Sequence, residues 1–361
     1  MPRDLLEHTF DLIAGDYSDG SSSDEDRVEV AEAEIMTDPP GRIFIVFGEM
    51  FIKYEQQGEG LFSRRICSSE MELSFELSAL PNSHVELFTV LPDSVVGEDV
   101  VEPLTRRGIE IRGYRSSDGY PLGDVTVFSD SRASIQRAQS AFVNHIHEIR
   151  WHEGIIADKA PCWVHAACSS FTWAERTRTA WKTFMQAVAD GKQERREEVL
   201  VSVELDSENS AAAMSGLWGM IAPFTSSIDL LILTSSEFMD LLRIVEIGEN
   251  ISDDSDGWGQ QMRSLIKVVN CTCIVVAYSS GKDSRIAVVH AAHGFSQSKP
   301  EEGDRRKCIA KFIHSWARVG TIANSYQFQQ LVSGDPKPSG TFKSSRRSMI
   351  AGGRKSLRID A

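Results

Sequence analysis

The chain has no uninterrupted apolar run of the ~18 residues that a helix needs to cross a bilayer, so no membrane partner is expected. Its start, MPRDLLEHTFDLIAGD, has neither the cationic opening nor the long apolar centre of a secretory signal. Paired cysteines are missing as well. Cys67, Cys162, Cys168, Cys271, Cys273 and Cys308 are scattered without C-x-x-C spacing. That argues against a zinc site and a disulfide frame and predicts reduced thiols in a cytoplasmic protein. The neighbouring histidines His145/His147 and His290/His293 lack companion ligands, so they read as packing or surface residues before metal ligands. Positive charge is in deficit. The 38 Lys and Arg stand against 52 Asp and Glu, a net charge of −14, and such a surface predicts no nucleic-acid partner.

What is present suffices for one large α/β domain or two small ones. Apolar residues make up 41% of the 361, so a sizeable core is expected. The ends differ from the middle. Residues 1–40 hold a short amphipathic piece (Leu5, Leu6, Phe10, Ile13) and then DYSDGSSSDEDRVEVAEAE, closing on Asp38-Pro39-Pro40. This Ser- and acid-rich run buries too little apolar surface to order itself, so a solvated, disordered acidic tail is expected, with capture of a basic partner as the alternative. Residues 337–361 are polar, Gly/Ser-rich and basic through Lys337, Lys343, Arg346, Arg347, Arg354, Lys355 and Arg358. They read as a flexible tail.

Between the tails, strand and helix patterns alternate, the mark of parallel α/β architecture. IFIVFGEMFIKY reads as a buried strand, a break at Gly48-Glu49 and a second strand. SSEMELSFELSALPNS reads as a helix closed by Pro81-Asn82, and HVELFTVLPDS as a strand and turn. A helix from about Gly97 to Arg107 stops at Gly108 and precedes a strand, and DVTVFSDS is a further strand. No clear period runs from Arg137 to His152. CWVHAACSS reads as a short buried strand. TWAERTRTAWKTFMQAVADGK has the strongest helical pattern, with Thr172 as cap, Ala180, Phe184 and Val188 on one face, and Gly191 as stop. EEVLVSVELDS is a strand, and SSIDLLILTSSEF is a strand that turns into a helix through Leu241-Leu242. A hairpin follows around Gly281-Lys282, and near the end a helix at 322–331 precedes the turn Ser333-Gly334-Asp335-Pro336.

The segment SQSKPEEGDRRKCIAKFIHSW, from Ser296 to Trp316, concentrates the chemistry. Cys308, Ile309, Phe312, Ile313 and Trp316 fall at helical spacing, and Pro300 bars a helix before Gly303. Gly303-Asp304 therefore sits at a helix start, where free N–H groups and the positive end of the dipole favour an anion. Asp304 can cap that helix, or it can take a proton from a substrate hydroxyl beside a phosphate.

The order of these elements resembles the ribokinase-like (PfkB) carbohydrate kinases, most closely the 2-keto-3-deoxygluconate kinases, over residues 42–336. The resemblance rests on the Gly48-Glu49 break, LPDSVVGEDVVEPLTRRGIEI, RAQSAF at Arg137–Phe142, WVH at Trp163–His165, DLLILTSSE at Asp229–Glu237, Gly303-Asp304 and SGDP at Ser333–Pro336. It implies a three-layer α/β fold: a central, mostly parallel sheet flanked by helices, with a small β lid drawn from about 50–66 and 109–142 within a domain of residues 41–336. It also implies phosphoryl transfer from ATP, with Mg2+, to a hydroxyl of a sugar or sugar acid, and it leaves room for a homodimer through the lid. Asp304 matches the family's catalytic base and Gly303 the glycine beside it. Glu237 matches the Glu of the Asn-x-x-Glu motif that organises magnesium and phosphate, with Thr234 in the Asn position. On the sugar side, Gly48 and Arg137 match substrate-facing positions. Cys67-Ser68 stands for a Gly-Gly pair, and Glu72 for an Asn. Glu204, Asp206 and Glu208 stand for an Asp-x-Asn-x-Arg segment, which reverses one charge, and Ser298 stands where the family tends to carry an Asp. Glu301-Glu302 stands where small residues leave bare backbone N–H groups for phosphate, so these carboxylates are expected to crowd the anion site. Two readings follow: an ATP-dependent sugar kinase with a degenerate active site, or a catalytically inactive pseudokinase that binds or scaffolds. A structural α/β protein without a nucleotide site is the third.

Overall fold

A computed structural model describes residues 41–130, 132–151, 161–172, 174–194, 199–206, 211–247 and 257–334. Both expected tails and Glu208 lie outside these residues. The first half forms β1 (Arg42–Phe47), β2 (Phe51–Gly58), β3 (Leu61–Cys67), α1 (Ser69–Ser78), β4 (Ser83–Pro92), α2 (Val95–Thr105), β5 (Glu110–Ser116), β6 (Gly123–Val127), β7 (Ala133–Gln136) and α3 (Ala141–His145). Then come β8 (Trp163–Ala167), α4 (Glu175–Glu194), β9 (Leu200–Glu204), α5 (Ala211–Ile221), β10 (Leu230–Thr234), α6 (Ser235–Ile244) and α7 (Trp258–Val269). The chain closes with β11 (Cys273–Ser280), β12 (Asp283–His290), β13 (Gly294–Gln297), β14 (Glu301–Glu302), α8 (Arg305–Val319) and α9 (Ser325–Ser333).

β1 shows why the sheet forms. Its side chains alternate between two cores. Phe44 and Val46 enter one, with Leu73, Leu104, Phe312 and Phe328 from α1, α2, α8 and α9. Ile45 and Phe47 enter the other, with Phe142, Phe184, Met214, Phe238 and Met262 from α3 to α7. A strand buried on both faces is a nearly continuous apolar run, which suits a parallel sheet with helices on both sides. The order is β13-β12-β11-β10-β9-β8-β1-β4-β5, with β14 beside β12. From β11 to β5 the pairings are parallel, and β12 turns back antiparallel to β11. Gly281 supplies the positive φ of +65° that this tight hairpin needs.

The expected central, mostly parallel sheet between helices is what forms. A second sheet, β3-β2-β6-β7, forms the lid. Residues 110–116, expected in the lid, belong instead to the edge of the main sheet as β5. Gly113 makes that pairing possible: its φ is +129°, and a Cβ there would stand 1.9 Å from the Thr89 carbonyl oxygen. α4 also departs from expectation. Gly191 does not end it, because an interior glycine costs only about 1 kcal/mol. Thr172 does not cap it: its hydroxyl donates to the Ser169 carbonyl, and the Thr177 hydroxyl accepts the Ala174 N–H. The six cysteines are free thiols.

Two glycines test this account of β5. Gly108 has φ +72° with open space around its Cβ position. Gly108→Ala should cost about 1 kcal/mol from backbone strain alone. Gly113→Ala should cost clearly more, because strain and collision with β4 add. Urea unfolding measures both, and equal losses would refute the steric account.

Candidate functional site

The carboxyl ends of β9 and β10 and the inner face of the lid enclose a cleft of about 620 Å³. Three helices begin there, each with a side-chain cap. The Ser68 hydroxyl accepts the Met71 N–H at 2.9 Å and caps α1. Thr234 caps α6, and its hydroxyl accepts the Glu237 N–H at 3.3 Å. Asp304 caps α8, with Oδ1 accepting the Arg306 N–H at 3.1 Å. First-turn residues Ser69, Ser235, Ser236, Arg305 and Arg306 line the cleft together with Lys53 and Arg65 of the lid. Three positive dipole ends and several cations on one space make it suited to an anion.

Of the residues expected at a site, Ser68, Glu72, Arg137, Thr234 and Glu237 line the cleft, whereas Gly48, Gly303 and Asp304 are not among its lining residues. Thr234 and Glu237 form a capping box: Glu237 Oε2 accepts the Thr234 N–H at 2.7 Å. Both line the cleft. Gly303 adjoins the Asp304 cap, and its carbonyl accepts the Ser284 hydroxyl at 2.7 Å. Arg137 is buried and its guanidinium holds Glu49, with Nε and Nη2 each 2.8 Å from Oε2. The Ser140 hydroxyl donates to the other Glu49 oxygen at 2.7 Å. Burial pushes the Glu49 carboxyl up, against Arg137 and Ser140. Arg137 thus faces Glu49 as well as the cleft. Gly48 lies under Glu70, since a Cβ there would stand 1.8 Å from Glu70 Oε1. Glu72 lies 3.8 Å from Arg306 Nε.

Arg306 was not anticipated as a site residue. It is 3% exposed, and its guanidinium pairs with Glu204, the last residue of β9. Burial opposes its charge, but Glu204 more than compensates and keeps it protonated. Beneath it, the buried His165 ring stands 2.9 Å from the Ser202 hydroxyl, which also accepts the Trp163 indole N–H. Burial, and then Arg306, hold His165 down to about 3, so it is neutral. The sequence did carry a signal. Arg305-Arg306-Lys307 puts three cations in the first turn of a helix, where the dipole repels them, so carboxylates or a bound anion had to be near.

Glu70 was also missed. The Ser170 hydroxyl donates to Oε1 at 2.7 Å. The Ser69 hydroxyl lies 3.1 Å from Oε2 and 3.0 Å from Asp206 Oδ2, and Ser169 donates to that same Asp206 oxygen at 2.9 Å. One hydroxyl hydrogen cannot serve two carboxylates. Both contacts are made if Glu70 keeps a proton and donates it to Ser69, which donates to Asp206. Burial, aided by the Asp206 charge, raises Glu70 from the ordinary 4.5 to about 7.

Glu301-Glu302 does not crowd the cleft as expected. β14 pairs with β12 and aims Glu301 at Lys311 and Lys307 on the outer side of α8. Burial works against its charge, yet these lysines hold its carboxyl below the usual range. Glu301 borders a different cavity, with Leu80 and Phe312, and Glu302 is exposed.

The fold is ribokinase-like, a central mostly parallel sheet between helices with a second, small β sheet. No family model and no curated protein sequence matches the chain. Solved structures do. A 2-dehydro-3-deoxygluconokinase from Thermotoga maritima superposes with a TM-score of 0.64 at 14% identity, over 81% of this chain and 91% of that one. A PfkB family carbohydrate kinase from Listeria grayi gives 0.60 at 15% identity over 81% and 90%. A fructokinase from Vibrio cholerae, solved with fructose, ADP and calcium, gives 0.59 at 12% identity over 81% and 90%. The chain therefore has the fold of the PfkB carbohydrate kinases.

Glu70 yields a pH test. Its folded pKa is raised, so its contribution to stability is full below about 4.5 and is lost as pH rises through about 7. The loss should be roughly 3 kcal/mol between pH 4.5 and 8. Glu70→Gln keeps a donor for Ser69 and an acceptor for Ser170, and should remove that part of the decline. Urea midpoints of both proteins at pH 5 and pH 8 decide it, and parallel declines would rule out the shared proton.

Proposed function

We propose that this protein is an ATP-dependent carbohydrate kinase of the PfkB kind with a degenerate active site, acting on a hydroxyl of a sugar or sugar acid of the 2-keto-3-deoxygluconate type. The observation that carries this reading is the convergence of three capped helix starts on one lidded cleft, with Asp304 heading α8 and Arg305 and Arg306 beside it. The donors present suit phosphate oxygens: hydroxyls of Ser235 and Ser236, backbone N–H groups, and cationic Arg305. ATP with Mg2+ would supply the phosphoryl group. Asp304 gives Oδ1 to its own helix, so Oδ2 is the oxygen that would take the substrate proton. The Thr234–Glu237 box holds Glu237 at the cleft, where it would orient the hydration of the magnesium. Gly48, Ser68, Glu72 and Arg137 would form the sugar side. Arg137 shares its charge with Glu49, so an anionic substrate group falls to Arg305, for which no carboxylate stands within ion-pair distance among the described residues.

The second reading, a pseudokinase that binds or scaffolds, is favoured by one feature. The cleft supplies its own countercharges, Glu49 to Arg137 and Glu204 to Arg306. A cytoplasmic location goes with either reading, given six free thiols. So does a homodimer through the lid, where Leu61 is 67% and Phe62 44% exposed. Sedimentation should then give twice the chain mass, and Leu61→Lys should return it to one.

Asp304→Asn tests the kinase reading. Asn caps a helix about as well as Asp, so folding and nucleotide affinity should be nearly unchanged. Phosphotransfer from ATP to a panel of sugar acids and hexoses should fall by about 10² to 10⁴. Nucleotide binding by wild type with no transfer to any acceptor would favour the pseudokinase. An unchanged rate would remove Asp304 from the mechanism.

A further inference from the structure

Far from the cleft, β4 and β5 carry a second group of chemically capable side chains. Glu86 and Glu110 are direct partners in the parallel register of the two strands. Side chains two residues apart share a face, so His84 joins Glu86 and Arg112 joins Glu110 on the same surface. His84 Nε2 lies 3.4 Å from Glu86 Oε1 and 3.3 Å from Glu110 Oε2, and all three ligand atoms fall within 4.8 Å of one another. Arg112 Nε takes the opposite oxygens, Glu86 Oε2 at 3.1 Å and Glu110 Oε1 at 2.9 Å. The guanidinium therefore turns one oxygen of each carboxylate toward the imidazole. Glu86 is 2% exposed and rigidly set, while His84 and Glu110, each about two-fifths exposed, open the group to solvent. The group stands at the amino ends of the strands. His84 and Pro92 are eight residues apart, about 26 Å along β4, so the group is remote from the cleft.

We propose that His84, Glu86 and Glu110 form a binding site for a divalent transition cation of the zinc class, with solvent at the open position and Arg112 orienting the carboxylates. Spacing favours this over a protonated histidine in an ion pair. A charge-assisted N–H···O bond runs about 2.7–2.9 Å, and the single hydrogen on Nε2 points at one oxygen only. Two oxygens flank this nitrogen at nearly equal, longer distances. Ligands bonded to zinc at 2.0–2.1 Å in a tetrahedron stand about 3.3–3.4 Å apart, which matches both separations. The donor set suits the ion, with one imidazole and two carboxylates. With neutral His84, the carboxylates and Arg112 sum to −1, so a divalent ion leaves +1 near the surface. The bound ion would clip the edge strand β5 to β4.

Zinc chloride titrated calorimetrically into chelator-stripped full-length protein tests the site. Wild type should bind one equivalent and its thermal midpoint should rise with zinc. His84→Gln and Glu110→Gln lie at open positions and should each weaken binding at least tenfold and remove the thermal rise. Cobalt(II) in wild type gives a readout that needs no variant: the visible d–d bands of a four-coordinate ion, without thiolate charge transfer, are expected. Absence of stoichiometric zinc binding, undiminished binding in His84→Gln, or thiolate bands placing the metal on a cysteine would each overturn the proposal.

Discussion

A cation in the first turn of a helix is electrostatically misplaced, and Arg306 is tolerated there because Glu204 meets it at the end of β9. The pair is buried, so neither member can be lost cheaply. Removing one partner of a buried pair typically costs about 3–5 kcal/mol, because the other charge is left without compensation. Glu72 on α1 adds a weaker third contact. Through these contacts α8, β9 and α1 are registered to one another. Asp304 and Arg305 immediately precede Arg306, so the ion pair also decides where the candidate base and the cation facing the cleft stand. The arrangement of the site is in this sense a consequence of one buried charge.

The remaining polar groups of the cleft follow the same pattern of internal satisfaction. Arg137, Glu49 and Ser140 form one set, and Ser170, Glu70, Ser69, Asp206 and Ser169 form another. Buried polar groups left unpaired cost about 1–3 kcal/mol each, so these contacts stabilise the cleft before any ligand enters. They also mean that any hydroxyl or carboxylate entering the cleft competes with a partner already in place. Binding must then come from groups with spare capacity, which among the described residues of the cleft include the Ser235 hydroxyl and Arg305. A site rich in donors and largely self-engaged is compatible with slow or selective turnover and with binding alone.

Much of the architecture was legible in the residue order. The strand before Gly48-Glu49, the helix closed by Pro81-Asn82, the hairpin at Gly281-Lys282 and the helix after Asp304 all formed where their patterns placed them. The misses have physical causes. AAAMSGLWGMI, which became α5, is apolar almost all round and so lacked an amphipathic period. β5 was assigned to the lid because nothing local shows that Gly113 lets it lie against Thr89. Glu301 was placed in the anion site because its direction depends on pairing between β14 and β12, which decides on which side a side chain emerges.

The division between the two kinds of information is one of range. A cap is made between residues two or three apart, and a two-residue alternation needs only neighbours, so Asp304 could be placed at a helix start by inspection. Charge pairs have no such local rule. Glu204 and Arg306 are separated by 102 positions, and Glu49 and Arg137 by 88. His84, Glu86 and Glu110 share a face only because two strands adopt one register. Residue order thus specified the elements and the helix start that carries Asp304. Which carboxylate neutralises which cation, and so which groups remain for a ligand, was settled only when the sheet, the helices and the lid came together, because electrostatic partnership depends on distance in space and not along the chain.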